Sequence, residues 1–315
     1  MTTGRVAFLF PGQGSQALGM GRMMAETFSC ARDTFREADE ALGFALSTLC
    51  FEGPEDKLRL TELTQPALLA TSIACERALR FKGIVPACVA GHSLGEYSAL
   101  VSAGALRLGD ALRLVSRRGR FMQEAVPVGQ GAMAAILGLP AAQVEQLCRE
   151  EASGETLAAA NYNSPDQTVI AGSAAAVARA VKAAPERGAK RAVPLPVSAP
   201  FHCELMAPAR EALREHLDAA EFRDLQCPLV SNVDAHPLTS GATARKNLIE
   251  QVTAPVRWEA CMRALAESGA TIFIEVGPGR VLSALARRIL PEAKTANVED
   301  PSSLEKTLAL LEQPA

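Results

Sequence analysis

Gly91-His92-Ser93-Leu94-Gly95 is a GxSxG sequence, and its flanks predict a strand over 87–90 and a helix from 94 to about 103. In that context the serine sits on a sharp turn with its Oγ exposed, and the two glycines leave room for the tight backbone. A serine hydroxyl is a weak nucleophile at its own pKa and needs a base to take its proton. The chain offers four histidines. His92 adjoins the serine, but its side chain is expected to point away and reads as structural. His216, inside the polar helix AREALREHLDAA, and His236, in a turn before Pro237, read as surface residues. His202 follows a strand and opens a helix, where α/β folds present functional groups, so it is the favoured base. Its neighbour Cys203 reads as a buried, inert thiol.

Acyl chemistry also needs donors where the oxyanion develops, and an elbow supplies the first from the N–H after the serine, here Leu94. The second comes from a loop after another strand. VAFLF (6–10) followed by Pro11-Gly12-Gln13-Gly14 is such a loop, and its glycines let a backbone N–H, that of Gln13, approach the acyl oxygen. The same stretch imitates a dinucleotide fingerprint. That reading fails for want of a second strand close behind, carrying an acidic residue at its end. A third partner for the histidine is harder to find: Asp110 and Asp166 lie between the serine and His202, but neither follows a convincing strand of the main sheet. Arg117 and Arg118, on the helix predicted over 109–125, offer a guanidinium for an acyl carboxylate. An exposed arginine on a polar helix face is the equal alternative. Hydrolase and transferase both remain open at this point.

The elements that must position these groups follow from periodicity. Helical patterns cover 19–41, 65–82, 205–220, 242–251, 256–268 and 281–290, and strands are expected at 228–233 and 271–276. This alternation implies a mostly parallel α/β sheet. Between them, 131–197 reads strand, helix, strand, strand, helix, strand, the split unit of a ferredoxin-like domain. The expected organisation is a large hydrolase-like α/β domain from 1–128 and 198–315 with a small ferredoxin-like subdomain, 129–197, inserted; only the terminal EQPA looks frayed.

Bulk properties narrow the classes. The 315 residues are 48% hydrophobic, enough for an ample core, and a net charge of −3 gives no global field for nucleic acid. Eight cysteines without a CxxC pair read as reduced thiols of a cytoplasmic protein. The N-terminal apolar run stops too soon for a signal peptide, and no run approaches the ~18 apolar residues of a membrane span.

Six segments in order, FPGQGSQ (10–16), GHSLGEYSAL (91–100), RRGRFMQEAVP (117–127), NYNSPDQTVIAG (161–172), SAPFHCELM (198–206) and VGPG (276–279), resemble the malonyl-CoA:acyl carrier protein transacylases, the stand-alone acyltransferases of fatty-acid synthesis. The resemblance spans nearly the whole chain and implies the same two-part fold. It implies a malonyl group carried from coenzyme A on Ser93 and passed to the phosphopantetheine thiol of acyl carrier protein, with no metal and no bound cofactor. His202 is then base and acid, its other nitrogen held by the main-chain carbonyl of Gln251 in place of an acid. Arg118 matches the carboxylate-binding position, Gln13 and Leu94 the oxyanion donors, and His92, Asn161 and Asn163 the cleft. Leu94 and Phe201 resemble malonyl-selective members, Phe201 being a steric bar to an α-methyl group. An acidic carrier protein calls for a local basic rim, for which Arg187, Lys190 and Arg191 are candidates. A monomer is expected. Service to a polyketide synthase or a malonate decarboxylase, or simple serine hydrolysis, are the alternatives.

Overall fold

The computed structural model describes residues 5–197 and 199–312. Ser198, the first residue of the segment that carries His202, and three of the four C-terminal residues read as frayed lie outside them, as do residues 1–4. The described residues form ten strands: β1 (Arg5–Phe10), β2 (Cys88–Gly91), β3 (Gly131–Leu137), β4 (Leu157–Ser164), β5 (Gln167–Ser173), β6 (Arg191–Pro194), β7 (Leu229–Val230), β8 (Pro237–Leu238), β9 (Ala270–Val276) and β10 (Lys294–Val298).

The larger sheet runs β10-β9-β1-β2-β7-β8. Its pairs are parallel except β7 with β8. β1 lies inside the sheet, and both of its faces are covered. Val6, Phe8 and Phe10 point into one apolar layer, while Ala7 and Leu9 point into another with Trp258, Met262 and Leu285. A near-continuous apolar run is what a parallel strand between two helical layers requires. The smaller sheet runs β4-β5-β3-β6 with all neighbours antiparallel. Helices Ala141–Glu151 and Ala174–Ala183 pack Val144, Leu147 and Val177 onto Ala134, Ile136 and Ile170 of that sheet. The chain order β3-helix-β4-β5-helix-β6 makes this the ferredoxin-like unit, joined to the larger unit by a bridge between Asn161 and Val256.

Several elements differ from the periodicity reading. The helical run over 19–41 is two helices, Arg22–Thr27 and Ser29–Leu42, because Phe28 between them is extended. The strand expected over 228–233 shortens to β7, since Asn232 leaves the ladder and turns its side chain to the serine elbow. The strand expected up to 197 stops at Pro194; Pro194 and Pro196 have no N–H to continue a ladder. Helices Leu46–Glu52, Glu55–Leu58 and Pro301–Glu312, with strands β8 and β10, have no counterpart in the sequence reading. No helix of the described residues is long and apolar enough to cross a membrane.

Candidate active site

The elbow forms where β2 ends and helix Gly95–Ser102 begins. Ser93 is left-handed, with φ 52°, a conformation that a non-glycine residue holds only when its surroundings over-determine it. Here they do. Its N–H donates to Asn232 Oδ1 at 2.8 Å, and Asn232 Nδ2 donates back to the Gly91 carbonyl at 2.8 Å. There is no room for a side chain on either flank: a Cβ on Gly95 would stand 2.0 Å from the Phe10 carbonyl oxygen, and one on Gly91 1.9 Å from the Gly95 carbonyl. The elbow is thus pressed against the end of β1.

His202, also left-handed at φ 60°, is buried below Ser93, with Nε2 2.7 Å from Ser93 Oγ. Its Nδ1 lies 2.9 Å from the main-chain carbonyl of Gln251, at the end of helix Gly241–Gln251. A carbonyl only accepts, so Nδ1 carries the proton and Nε2 is left to accept from the serine hydroxyl. The two aspartates weighed from sequence are elsewhere, Asp110 paired with Arg113 and Asp166 with Arg288. Burial, and next the charge of Arg118, hold the imidazole well below its ordinary range, at about 3. It is neutral and able to take a proton.

Of the tandem arginines, Arg117 faces solvent and Arg118 is 1% exposed. The reason lies in the next residue. Helices Leu108–Glu124 and Thr61–Phe81 touch at Gly119, where a Cβ would come within 2.6 Å of the Thr61 carbonyl oxygen and Glu62 Cα. Arg118 is thereby laid against Gln65, whose Oε1 accepts from one terminal nitrogen at 2.9 Å. The other donates to Ser93 Oγ and to Gln251 Oε1, both at 3.1 Å. Arg118 Nε has no hydrogen-bond partner, and no carboxylate pairs with the guanidinium among the described residues. Burial disfavours its charge. A buried cation met only by neutral acceptors is a site that an anionic ligand completes.

A cavity of about 510 Å³ opens over these groups, lined by Gln13, Gln65, Ser93, Leu94, Arg118 and His202 and walled by Met133, Asn161, Leu195 and Phe201. The amides of Gln13 and Leu94 donate to no backbone carbonyl in the loops and turns described. The glycine turn after β1 thus lines the same cavity as Ser93 and is not part of a dinucleotide fold.

A family model described as acyl transferase domain matches residues 7–304. The chain is 49% identical over 310 residues to a malonyl CoA-acyl carrier protein transacylase of Bacillus subtilis, covering 98% of each, and 47% identical to one of Escherichia coli, covering 96% of this chain and 99% of that one. This chain belongs to the malonyl-CoA:acyl carrier protein transacylases. Among solved structures, an acyl carrier protein S-malonyltransferase from Vibrio cholerae superposes with a TM-score of 0.94 at 46% identity, over 96% of this chain and 99% of that one. A malonyl-transacylase solved in complex with its type II PKS acyl-carrier protein gives 0.95 at 46% identity, over 97% and 99%.

For a transacylase of this family, the remaining residues weighed from sequence fall into two groups. His92 Nε2 bonds Asn163 Oδ1 at 2.8 Å and its ring packs on Trp258, so Asn163 stands behind His92 while Asn161 faces the cavity. Cys203 is buried, its thiol donating to the Pro200 carbonyl and pushed up to about 11 by burial, which makes it inert. His216 is not simply solvated: it is half-buried and stacks on Phe121, with ring planes 7° apart. His236 is exposed. Of the three residues expected to form a basic rim, Arg187 is tied to Glu150, and Lys190 and Arg191 are exposed without a carboxylate partner among the described residues. Also among these residues, no cluster of His, Cys, Asp and Glu could hold a metal. Sequence reading missed Gln65, Glu96 and Asn232. Asn232 had a signal, since it follows the strand next to β2 at the end of the sheet where the elbow lies.

Proposed function

We infer that this chain moves a malonyl group from malonyl-CoA to the phosphopantetheine thiol of acyl carrier protein by a ping-pong route through malonyl-Ser93. The observation that carries this reading is the buried, carboxylate-free Arg118 within hydrogen-bond distance of the serine that also bonds a neutral histidine. The distal carboxylate of malonyl takes the guanidinium as a bidentate partner and sets the thioester carbonyl over Ser93 Oγ. His202 Nε2 accepts the hydroxyl proton as the C–O bond forms, and the Gln251 carbonyl steadies the imidazolium through Nδ1–H. The oxyanion is met by the N–H groups of Gln13 and Leu94. Collapse breaks the C–S bond, and His202 returns its proton to the departing coenzyme A thiolate. The carrier thiol then runs the same steps in reverse order, its proton taken by His202 as the ester is cleaved.

The chemistry as written draws only on this chain's side chains and amides, so no cofactor is invoked. The catalytic unit in this reading is 1–128 with 198–315, residues 129–197 forming the smaller unit, and the protein works as a cytoplasmic monomer. Fatty-acid synthesis is the process served. A polyketide carrier as acceptor is the second reading, favoured by the likeness to a transacylase solved with such a carrier.

The test is intact-protein mass after brief incubation with malonyl-CoA and no acceptor. Wild type gains one malonyl group and Ser93→Ala gains none; holo-acyl carrier protein then discharges the adduct. Accumulation of malonate and free coenzyme A without an adduct would make the protein a hydrolase.

A further inference from the structure

Glu96 lies on the elbow helix, three residues after the nucleophile, and is 1% exposed. No basic side chain pairs with it among the described residues. Its Oε2 accepts from Gln251 Nε2 at 2.7 Å and from the Asn232 N–H at 3.1 Å. The opposite end of the same Gln251 amide, Oε1, accepts from Arg118 at 3.1 Å. An amide has one donating and one accepting end, and a carboxylate only accepts. Burial pushes the Glu96 carboxyl up to about 7, but its Oε2 also accepts from a main-chain N–H and so meets Gln251 as an acceptor. With the longer bonds from Nε2 to the Ser93 carbonyl (3.2 Å) and Asn232 Oδ1 (3.3 Å), Gln251 has one orientation that makes these bonds. Turned over, it would set its oxygen against the carboxylate and its NH2 against the guanidinium.

We propose that Glu96 is a positioning residue for acid recognition: its carboxylate fixes the Gln251 amide with the oxygen toward Arg118, which holds the guanidinium over Ser93. The amide stands between the two charges. A direct Glu96–Arg118 pair would fill the guanidinium with an internal carboxylate and leave none of it for substrate. The interposed glutamine passes on orientation, and part of the favourable field, while leaving the cation unneutralised. The main-chain carbonyl of Gln251 is the atom that holds His202, so one residue ties the base and the acid-binding arginine to the same buried carboxylate. The proposal rests on the reading of Arg118 as the substrate-carboxylate ligand.

The test compares serine acylation by malonyl-CoA with that by acetyl-CoA, which lacks the carboxylate, in wild type, Glu96→Gln and Arg118→Ala, with melting temperatures alongside. Glu96→Gln is expected to lower the malonyl-over-acetyl ratio of kcat/KM at least tenfold, mainly through KM for malonyl-CoA. If Arg118→Ala lowers the ratio but Glu96→Gln leaves it as in wild type, or slows both donors alike, Glu96 is structural and the proposal is overturned. If Arg118→Ala leaves the ratio unchanged, the reading of Arg118 fails and the proposal falls with it. Should Glu96→Gln not fold, Gln251→Met, which keeps the main-chain carbonyl, is expected to show the same fall; an unchanged ratio there would equally overturn the proposal.

Discussion

The two units of the molecule handle buried polarity differently. In the larger one, Glu76, Glu96, Arg118, His202 and Glu275 are all buried, and Ser93 and His202 are left-handed. The smaller one buries no charged side chain among the described residues; its core is Val, Leu, Ile, Ala and Cys148 between a sheet and two helices. It contributes Met133, Asn161 and, at its edge, Leu195 to the cavity wall. Left-handed non-glycine backbone is found in both units, exposed Ser153 in a turn of the smaller one included, so what separates them is desolvated charge, which the closely packed larger unit alone holds among the described residues. In the proposed reading one unit carries the reaction, and the other adds wall residues to the space above it.

That division can be broken most sharply at the glycines. Gly95→Ala drives a Cβ into the Phe10 carbonyl, so it should cost about 3 kcal/mol or more and abolish the malonyl adduct seen by mass. Gly154→Ala, in a turn of the smaller unit where a Cβ meets nothing within 4 Å, should cost only about 1 to 2 kcal/mol of backbone strain and leave acylation intact. Loss of acylation in the second variant would mean that the smaller unit does more than shape the space.

Phe201 stands on the cavity wall next to the base. Phe201→Ser should raise turnover of methylmalonyl-CoA relative to malonyl-CoA about tenfold, in keeping with the ~1 to 3 kcal/mol that one methyl group is worth in a pocket. An unchanged ratio would discard the steric account. The smallest effect is expected on the outer face of the smaller unit. Reversing Lys190 and Arg191 to Glu should raise KM for acyl carrier protein by about two- to tenfold at low salt, with KM for malonyl-CoA unmoved, because rim charges act on encounter. No change in the carrier KM would remove these residues from the docking surface.

What could be read from sequence follows the range of the interaction. The elbow is legible because strand, GxSxG and helix are contiguous, and the ferredoxin-like order because its six elements are short local runs set apart by turn residues such as Gly138, Gly154, Asp166 and Gly188. Gln251 is invisible to side-chain reasoning: its main-chain carbonyl holds the histidine, and every residue has one, so only the family resemblance pointed to it. Arg118 could not be told from Arg117 by spacing, since the deciding fact is a helix crossing at Gly119 with a partner some 60 residues away. Glu96 sits inside the recognised motif but carries no signal of its own, as its partners Asn232 and Gln251 come from other elements. Strand β10 and the helix after it escaped notice because KTANV is polar at an edge and lacks the apolar run of β1.

The hydrogen bond from Arg118 to Ser93 Oγ bears on what the enzyme does when idle. A serine hydroxyl has two lone pairs, and this N–H takes one of them. In the proposed reading, a malonyl carboxylate arriving at the guanidinium competes for the same N–H, so the group to be carried loosens a bond on the atom that is to carry it. A thioester without a distal acid brings no such competitor.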